Sequence, residues 1–115
     1  KMDYDWFCAA PASKFEINWE NFNLIASSAD IEIIDVRELG EAPLPTAFHY
    51  SQIPLSQFKE NIATLKKDTL IVFCQSGKRS LQAAQWLFDT FGETKKIYSL
   101  QGGITNWIKN NSTQP

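Results

Sequence analysis

The chain has 115 residues, of which 43% are hydrophobic and 13% aromatic, and its formal net charge is −2. This length suits one domain, and the apolar content can supply a packed core. The small negative charge argues against a nucleic acid partner, and no apolar run approaches the roughly 18 residues that a membrane helix needs. We therefore expect neither nucleic acid binding nor a membrane span.

The first fourteen residues show no steady hydrophobic period, and Pro11-Ala12-Ser13 has the composition of a linker. Residues 1–14 are predicted to be a linker or the tail of a preceding domain, and residues 15–110 to form the domain. Residues 111–115 are polar and predicted to be a disordered tail. Cys8 is interpreted as structural or incidental rather than as a resolving thiol, because Lys1 and Lys14 are the only cations near it in sequence.

A helix and a strand are predicted between residues 17 and 36. Asn18 can cap the helix, which should end near Ser27 and Ser28, and Ile-Glu-Ile-Ile-Asp-Val at 31–36 predicts a strand. Asp35 and Arg37 flank the end of this strand. They either help to shape a site or fix the strand exit through a salt bridge and loop hydrogen bonds. We favour the second interpretation, because neither side chain needs to reach a reacting atom in order to fix the strand exit.

A partner-selecting loop is predicted for residues 39–50, since loops near a site often contact partners. His49 lies in it and is interpreted as a structural or surface residue, because a single histidine without a paired Ser or Asp makes a weak general base candidate. Residues 50–55 could form a short strand. Ser56 is predicted to cap a helix over 56–65, with Phe58, Ile62 and Leu65 on its inner face.

The most informative stretch runs from Leu70 to Ser80. Residues 70–73 read Leu-Ile-Val-Phe, which predicts a strand buried on both faces, and Cys74 stands at its carboxyl end. A helical spacing of apolar residues begins at about Ser80 and ends before Gly92. In open α/β sheets, ligands bind just outside the carboxyl ends of the strands. Cys74 therefore occupies a position typical of a functional residue.

The loop after Cys74 has the residues that favour a thiolate. Backbone N–H groups over Gln75–Ser80 can turn inward as an anion-binding nest, which Gly77 permits, and Lys78 and Arg79 add positive charge. Ser76 and Ser80 could donate hydrogen bonds to the sulfur or cap the helix. Such a loop stabilises a thiolate, a persulfide anion or an oxyanion. The structural alternative is a buried cysteine that ends a core strand; the combined pattern favours a reactive cysteine.

The chain closes with a strand over 97–100, a Gly102-Gly103 turn and a helix over 104–109 that turns Trp107 and Ile108 inward. With two cysteines and one histidine, the sequence offers few soft ligands for a metal. No cofactor is expected.

Four segments resemble the rhodanese-domain sulfurtransferases, and they occur in that family's order over about residues 15–110. Val72–Ser80, VFCQSGKRS, is similar to the active-site loop of the family. The other three are Ile33–Glu38 (IIDVRE), Ile53–Leu55 (IPL) and Leu100–Trp107 (LQGGITNW). The run at 45–52 departs from the family's His-Ile-Pro-Gly-Ala pattern, which leaves the path of that loop open.

This resemblance implies a three-layer α/β fold with a central parallel sheet flanked by helices. It also implies a ping-pong reaction in which Cys74 takes sulfane sulfur from thiosulfate or a protein persulfide and passes it to a nucleophilic acceptor. The loop from Cys74 to Arg79 has six residues, as in sulfurtransferases and one fewer than in related phosphatases. A non-catalytic interaction module and a phosphatase or arsenate reductase remain as alternatives.

The run Tyr4-Asp5-Trp6-Phe7-Cys8 resembles the end of the adenylyltransferase domain in two-domain adenylyltransferase/sulfurtransferase proteins. That similarity implies a ubiquitin-like sulfur carrier protein as acceptor. It leaves molybdenum cofactor (molybdopterin) biosynthesis, thiamine biosynthesis and tRNA thiolation open as pathways. A reactive free cysteine suits a reducing compartment, so we expect a cytoplasmic location.

Overall fold

A parallel sheet of five strands organises the computed structural model, which describes residues 12–42, 45 and 47–111, with side chains from Lys14 onward. The strands are β1 (Glu16–Ile17), β2 (Ile31–Asp35), β3 (Ser51–Gln52), β4 (Thr69–Phe73) and β5 (Lys96–Leu100). Their order in the sheet is β1-β5-β4-β2-β3, and every pairing is parallel. The predicted α/β fold is confirmed.

β4 occupies the centre of the sheet and is buried on both faces. It pairs with β2 through Ile33 and Ile71 and with β5 through Ile71 and Tyr98. Residues 70–73 are all 0% exposed. The bulky apolar run has this environment because helices cover both faces of a parallel sheet. The carboxyl end of β4, which Cys74 follows, is therefore held between two neighbouring strands and between two layers of helices.

Within the described ranges, five helices flank the sheet: α1 (Ala12–Phe15), α2 (Trp19–Ile25), α3 (Phe58–Asn61), α4 (Lys78–Phe91) and α5 (Gly103–Asn111). Successive residues of β4 point to opposite faces. Leu70 and Val72 belong to one core cluster with α3 and α4, and Ile71 and Phe73 to a second with α2 and α5. This arrangement gives the three layers. No helix of the described ranges is long and apolar enough to cross a membrane.

The predicted cap of the first long helix is confirmed, because the Asn18 side chain accepts a hydrogen bond of 2.8 Å from the Asn21 backbone N–H. α4 begins at Lys78, two positions before the predicted start, since Gly77 adopts a φ of +102° and turns the chain directly into the helix. Its stop at Gly92 is as predicted.

The predicted continuous helix over 56–65 is wrong. A 3-10 turn (Leu55–Gln57), α3 and a second 3-10 turn (Ile62–Thr64) stand there instead. The Asn61 and Thr64 side chains donate to the carbonyl groups of Gln57 and Asn61, at 2.8 and 2.7 Å. Such local side-chain bonds compete with regular helix hydrogen bonds. The buried positions of Phe58, Ile62 and Leu65 are nevertheless confirmed.

Ser56 does not cap this segment as predicted. Its backbone N–H and its hydroxyl both donate to the Glu38 carboxylate, at 3.3 and 3.1 Å. The hydroxyl therefore ties the segment to the loop after β2.

Both ends of the described part of the chain are helical. Residues 12–15 form one helical turn, and Lys14 forms an ion pair of 3.2 Å with Glu93. α5 continues through Asn111, beyond the predicted helix over 104–109, and the Asn111 side chain donates to the Trp107 carbonyl at 2.7 Å. The division into linker, domain and tail stays a prediction. The predictions for residues 1–11, Cys8 included, and for 112–115 lie outside the described residues.

Gly103 is required where the turn before α5 meets the segment after β4. Its φ is +70°, and a Cβ there would overlap the Gln75 carbonyl oxygen and lie 2.7 Å from the Cys74 carbonyl oxygen. Gly40 has a φ of +93° but no atom within 4 Å of a Cβ position, so it provides a control for backbone strain alone.

We predict that Gly103→Ala lowers the free energy of unfolding by about 3 kcal/mol or more, because overlap adds to the positive-φ strain. Gly40→Ala should cost about 1 kcal/mol. Urea unfolding followed by circular dichroism measures both values. Equal losses in the two variants would contradict the close approach described for Gly103.

Candidate active site

Cys74 lies between the central strand and the longest helix. It follows β4 directly, and Gln75, Ser76 and Gly77 carry the chain into α4. The side chain of Cys74 is fully buried and belongs to the core cluster under α4. Burial alone would fit a cysteine that only ends a core strand. The hydrogen bonds around the Cys74 sulfur therefore decide whether the residue can be reactive.

Two backbone N–H groups from the loop and the start of α4 donate to the Cys74 sulfur. The N–H of Gly77 donates to Sγ at 3.0 Å and that of Ser80 at 3.4 Å. The Ser80 hydroxyl oxygen lies 3.6 Å from Sγ and accepts from the thiol. The first N–H groups of a helix have no acceptor within the helix, and the helix dipole favours negative charge there. This arrangement stabilises an anion at Sγ or at an atom bonded to it.

The side chains of Ser80 and Ser99 form a buried contact beside the N–H groups that face the sulfur. Ser80 Oγ donates to the Gly77 carbonyl at 3.2 Å and lies 2.7 Å from Ser99 Oγ in β5. Both serines are 0% exposed. The sequence analysis missed Ser99, although a serine within an otherwise apolar buried strand is a signal that it needs a polar partner.

The Gly102-Gly103 turn packs directly on the cysteine loop. The Ile104 N–H donates to the Cys74 carbonyl at 2.8 Å, and the Thr105 N–H donates to the Gln75 carbonyl at 3.2 Å. A Cβ on Gly77 would lie 3.2 Å from the Gly102 nitrogen. These hydrogen bonds from the start of α5 engage the Cys74 and Gln75 carbonyl groups. The Gly77 and Ser80 N–H groups face the sulfur instead.

Asp35 and Arg37 form the predicted salt bridge at the strand exit. Arg37 Nη2 lies 3.0 Å from Asp35 Oδ2, and both side chains are 0% exposed. Arg37 Nη1 also donates to the Gln75 side chain at 3.1 Å, and Gln75 Nε2 donates to Thr105 Oγ1 at 2.8 Å. The pair thus supports the cysteine loop through Gln75 rather than by touching the sulfur.

Arg79 is already paired with a carboxylate that the sequence analysis did not single out. Its Nη1 and Nη2 lie 2.7 and 2.8 Å from the two oxygens of Glu41. Hydrogen bonds from Arg79 and from the Glu38 backbone lower the pKa of Glu41 from 4.5 to about 2. The hydrogen bond with Glu41 also raises the pKa of Arg79. Only the acidic composition of the loop after β2 could have indicated this contact.

Ser76 and Lys78 are exposed residues of the cysteine loop, and neither is seen to donate to the sulfur.

His49 is exposed and borders a separate cavity of about 470 Å³ with Phe48, Trp107 and Ile31. Ile31 begins β2, so this cavity lies toward the end of the sheet opposite Cys74. Among the described residues, no three His, Cys, Asp or Glu side chains could hold a metal ion.

We predict that Asp35→Asn lowers the free energy of unfolding by about 3–5 kcal/mol, because it removes the carboxylate charge paired with a guanidinium that is itself 0% exposed. Glu93→Gln is the matched control, since it breaks the exposed pair with Lys14 and should cost about 0.5 kcal/mol or less. Urea unfolding of both variants measures the difference. A loss below about 1 kcal/mol for Asp35→Asn would show that the buried pair contributes little.

The lowered pKa of Glu41 predicts a pH window for its contribution to stability. The folded-state value of about 2 lies below the ordinary 4.5, so the stabilisation is fully present above about pH 4.5 and is lost as the pH falls toward 2. The unfolding free energies of wild type and Glu41→Gln should therefore differ by a constant amount above this window and converge within it. A difference that does not change with pH would argue against the ion pair.

A comparison with known proteins agrees with this geometry. The family model for the rhodanese-like domain matches residues 20–110. A protein named "Sulfurtransferase" from Allochromatium vinosum is 28% identical over 90 residues, which cover 74% of this chain and 78% of that protein. "Putative sulfurtransferase YtwF" from Bacillus subtilis is 32% identical over 87 residues, covering 72% and 79%.

A solved structure gives the same result for the fold. The crystal structure of a rhodanese-related protein from Thermoplasma volcanium superposes with a TM-score of 0.72 at 26% identity, over 86% of this chain and 95% of that one. With its five-stranded parallel sheet and the matched family model, the chain belongs to the rhodanese-like domain family and has the rhodanese fold.

Proposed function

We propose that this domain is a sulfurtransferase in which Cys74 carries sulfane sulfur as a persulfide. The observation that supports this most is the pair of backbone N–H groups, from Gly77 and Ser80, that donate to Sγ at the start of α4. The relatives named as sulfurtransferases support the same activity. Cys74 is the catalytic nucleophile, and the loop Gln75–Ser80 is the anion cradle.

In the first half-reaction, the Cys74 thiolate attacks the outer sulfur of the donor. A bond forms between Sγ and that sulfur, the sulfur–sulfur bond of the donor breaks, and its electron pair leaves with sulfite or with a thiolate. No separate oxidant or reductant is needed. Because Cys74 is fully buried, the Gln75–Ser80 loop must admit the donor sulfur, whose charge the Gly77 and Ser80 N–H groups can bind.

In the second half-reaction, a nucleophilic acceptor attacks the outer sulfur of the Cys74 persulfide. The bond within the persulfide breaks, and its electron pair returns to Sγ as a thiolate. The Gly77 and Ser80 N–H groups stabilise the anion both before and after transfer, so neither half-reaction must create a new charge site. The Arg37–Gln75–Thr105 hydrogen bonds hold the loop in one geometry during both steps.

The two alternatives make different predictions about Cys74. A phosphatase or arsenate reductase would release phosphate from a chromogenic ester or reduce arsenate, and the six-residue loop counts against it. A non-catalytic interaction module would keep its binding function after loss of Cys74. The N–H donors at the sulfur suit an oxyanion as well as a persulfide, and the relatives named as sulfurtransferases favour the persulfide.

The donor and acceptor extend this proposal. We propose thiosulfate or a protein persulfide as donor and a ubiquitin-like sulfur carrier protein as acceptor, in the cytoplasm. The carrier, a role in molybdopterin biosynthesis and a preceding adenylyltransferase domain are based on the Tyr4–Cys8 run alone. Transfer to a purified carrier with a free carboxyl-terminal glycine, followed by mass spectrometry for a thiocarboxylate, tests that part separately.

We predict that Cys74→Ser reduces sulfur transfer from a persulfide donor to a thiol acceptor by about a thousandfold or more, since it removes the nucleophile. Cys8→Ser is the matched control within the same chain and should retain full activity. The rate of hydrogen sulfide release in the presence of excess thiol measures both variants. Both proteins should unfold at the same urea concentration as the wild type within error.

Undiminished transfer by Cys74→Ser would overturn the assigned role. Loss of transfer in Cys8→Ser with retention in Cys74→Ser would assign the chemistry to the other cysteine. Phosphate release from a chromogenic ester that depends on Cys74, without sulfur transfer, would favour the phosphatase alternative.

A further inference from the structure

The arginine of the cysteine loop is not available as a free positive charge. The two terminal guanidinium nitrogens of Arg79 each donate a hydrogen bond to one carboxylate oxygen of Glu41, at 2.7 and 2.8 Å. Paired bonds of this kind are among the stronger polar contacts in proteins. Arg79 directly precedes Ser80, whose N–H donates to Cys74 Sγ at 3.4 Å, and charge at Cys74 is one of the smaller causes that raise the pKa of Arg79. Glu41 therefore neutralises a cation that would otherwise act directly on the reacting sulfur.

The loop after β2 holds Glu41 in this position before any ligand binds. The Glu38 N–H donates to Glu41 Oε2 at 2.8 Å, and the Glu41 N–H donates to the Glu38 carbonyl at 3.3 Å. Gly40 closes this tight turn with a φ of +93°. Because the Glu38 N–H holds the Glu41 carboxylate in place, an anion that competes for Arg79 must displace a preorganised carboxylate.

The charges around the cysteine loop nearly cancel. Arg37 is balanced by Asp35 within the protein interior, and Arg79 is balanced by Glu41. Lys78 and Glu38 are both exposed and carry opposite charges. A dianion that approaches the Cys74 thiolate would meet repulsion with little net positive charge to offset it.

We propose that Glu41 sets donor specificity by selecting against sulfur donors that carry a sulfonate, such as thiosulfate, and in favour of persulfides of thiols. This inference rests on the proposed sulfurtransferase function and names its donor class. Glu41 touches neither substrate nor sulfur; it acts through Arg79. The backbone N–H groups of the loop can bind the single charge of the transferred sulfur, but a sulfonate needs a cation as well.

Both donor classes give the same covalent product. With a persulfide, RSSH, the Cys74 thiolate bonds to the outer sulfur, which keeps its proton, and the electron pair of the broken bond leaves on RS⁻. With thiosulfate, that pair leaves on sulfite, which carries two negative charges. The two reactions balance without a further oxidant or reductant. They differ in the charge of the donor and leaving group, and this is the property that Glu41 controls.

The test compares two donors in three proteins. We would measure kcat and KM with thiosulfate and with the persulfide of cysteamine, whose fixed charge is positive, in wild type, Glu41→Gln and Glu41→Ala. Glu93→Gln is the matched control, because it removes the same charge and breaks an exposed ion pair with Lys14 near the opposite end of the sheet. Urea midpoints confirm that each variant is folded.

Freeing Arg79 should raise kcat/KM for thiosulfate by about tenfold, mainly through a lower KM, in both Glu41 variants. The increase should shrink as ionic strength rises, because salt screens the attraction. The value for cysteamine persulfide should not increase, and Glu93→Gln should match wild type with both donors.

An unchanged or lower kcat/KM for thiosulfate in folded Glu41 variants would overturn this inference while leaving the proposed function intact. An equal increase with both donors would also overturn it, because that result indicates loop opening rather than charge selection. Failure of wild type to accept sulfur from either donor would instead contradict the proposed function itself.

Discussion

The structure depends on the way two turns lock together at the carboxyl end of the central strands. The cysteine loop follows β4 and the Gly102-Gly103 turn follows β5, and the N–H groups at the start of α5 bind the Cys74 and Gln75 carbonyls. With those carbonyls held away, the N–H groups of Gly77 and Ser80 face the sulfur. The parallel sheet contributes the anchoring, since β4 is buried on both faces. The fold and the chemistry thus share one set of backbone contacts.

A second level of organisation is the pairing of charge around this loop. The buried Asp35–Arg37 pair reaches the loop through Gln75, and the partly exposed Glu41–Arg79 pair reaches it from the loop after β2. The first pair supplies rigidity, because a buried ion pair has few alternative arrangements. The second pairs the cation of the cysteine loop, Arg79, with a carboxylate. In the proposed mechanism, sulfur transfer at Cys74 then depends more on backbone N–H groups than on free cations, which is the basis for distinguishing donors by charge.

Sequence patterns predicted the parts of this structure that depend on local periodicity. The buried strand before Cys74, the Asn18 cap, the Gly92 stop and the Asp35–Arg37 salt bridge all have short-range signals and are confirmed. Parts set by distant contacts were missed. Ser56 is bound by Glu38 rather than capping a helix, and Asn111, beyond the predicted end of the last helix, accepts from the side chain of Asn23. Glu41 and Ser99 join the site through pairing across the fold, which no spacing in the sequence reveals.

The measurement that tests the central claim most directly is the intact mass of the domain after one equivalent of a persulfide donor, followed by peptide mapping. The account predicts a gain of one sulfur atom on the peptide that contains Cys74, removed by a reductant and absent in Cys74→Ser. Parallel loading with thiosulfate should be slower. An unmodified Cys74 peptide after prolonged exposure to both donors, in folded protein, would contradict a persulfide carrier and favour an interaction module.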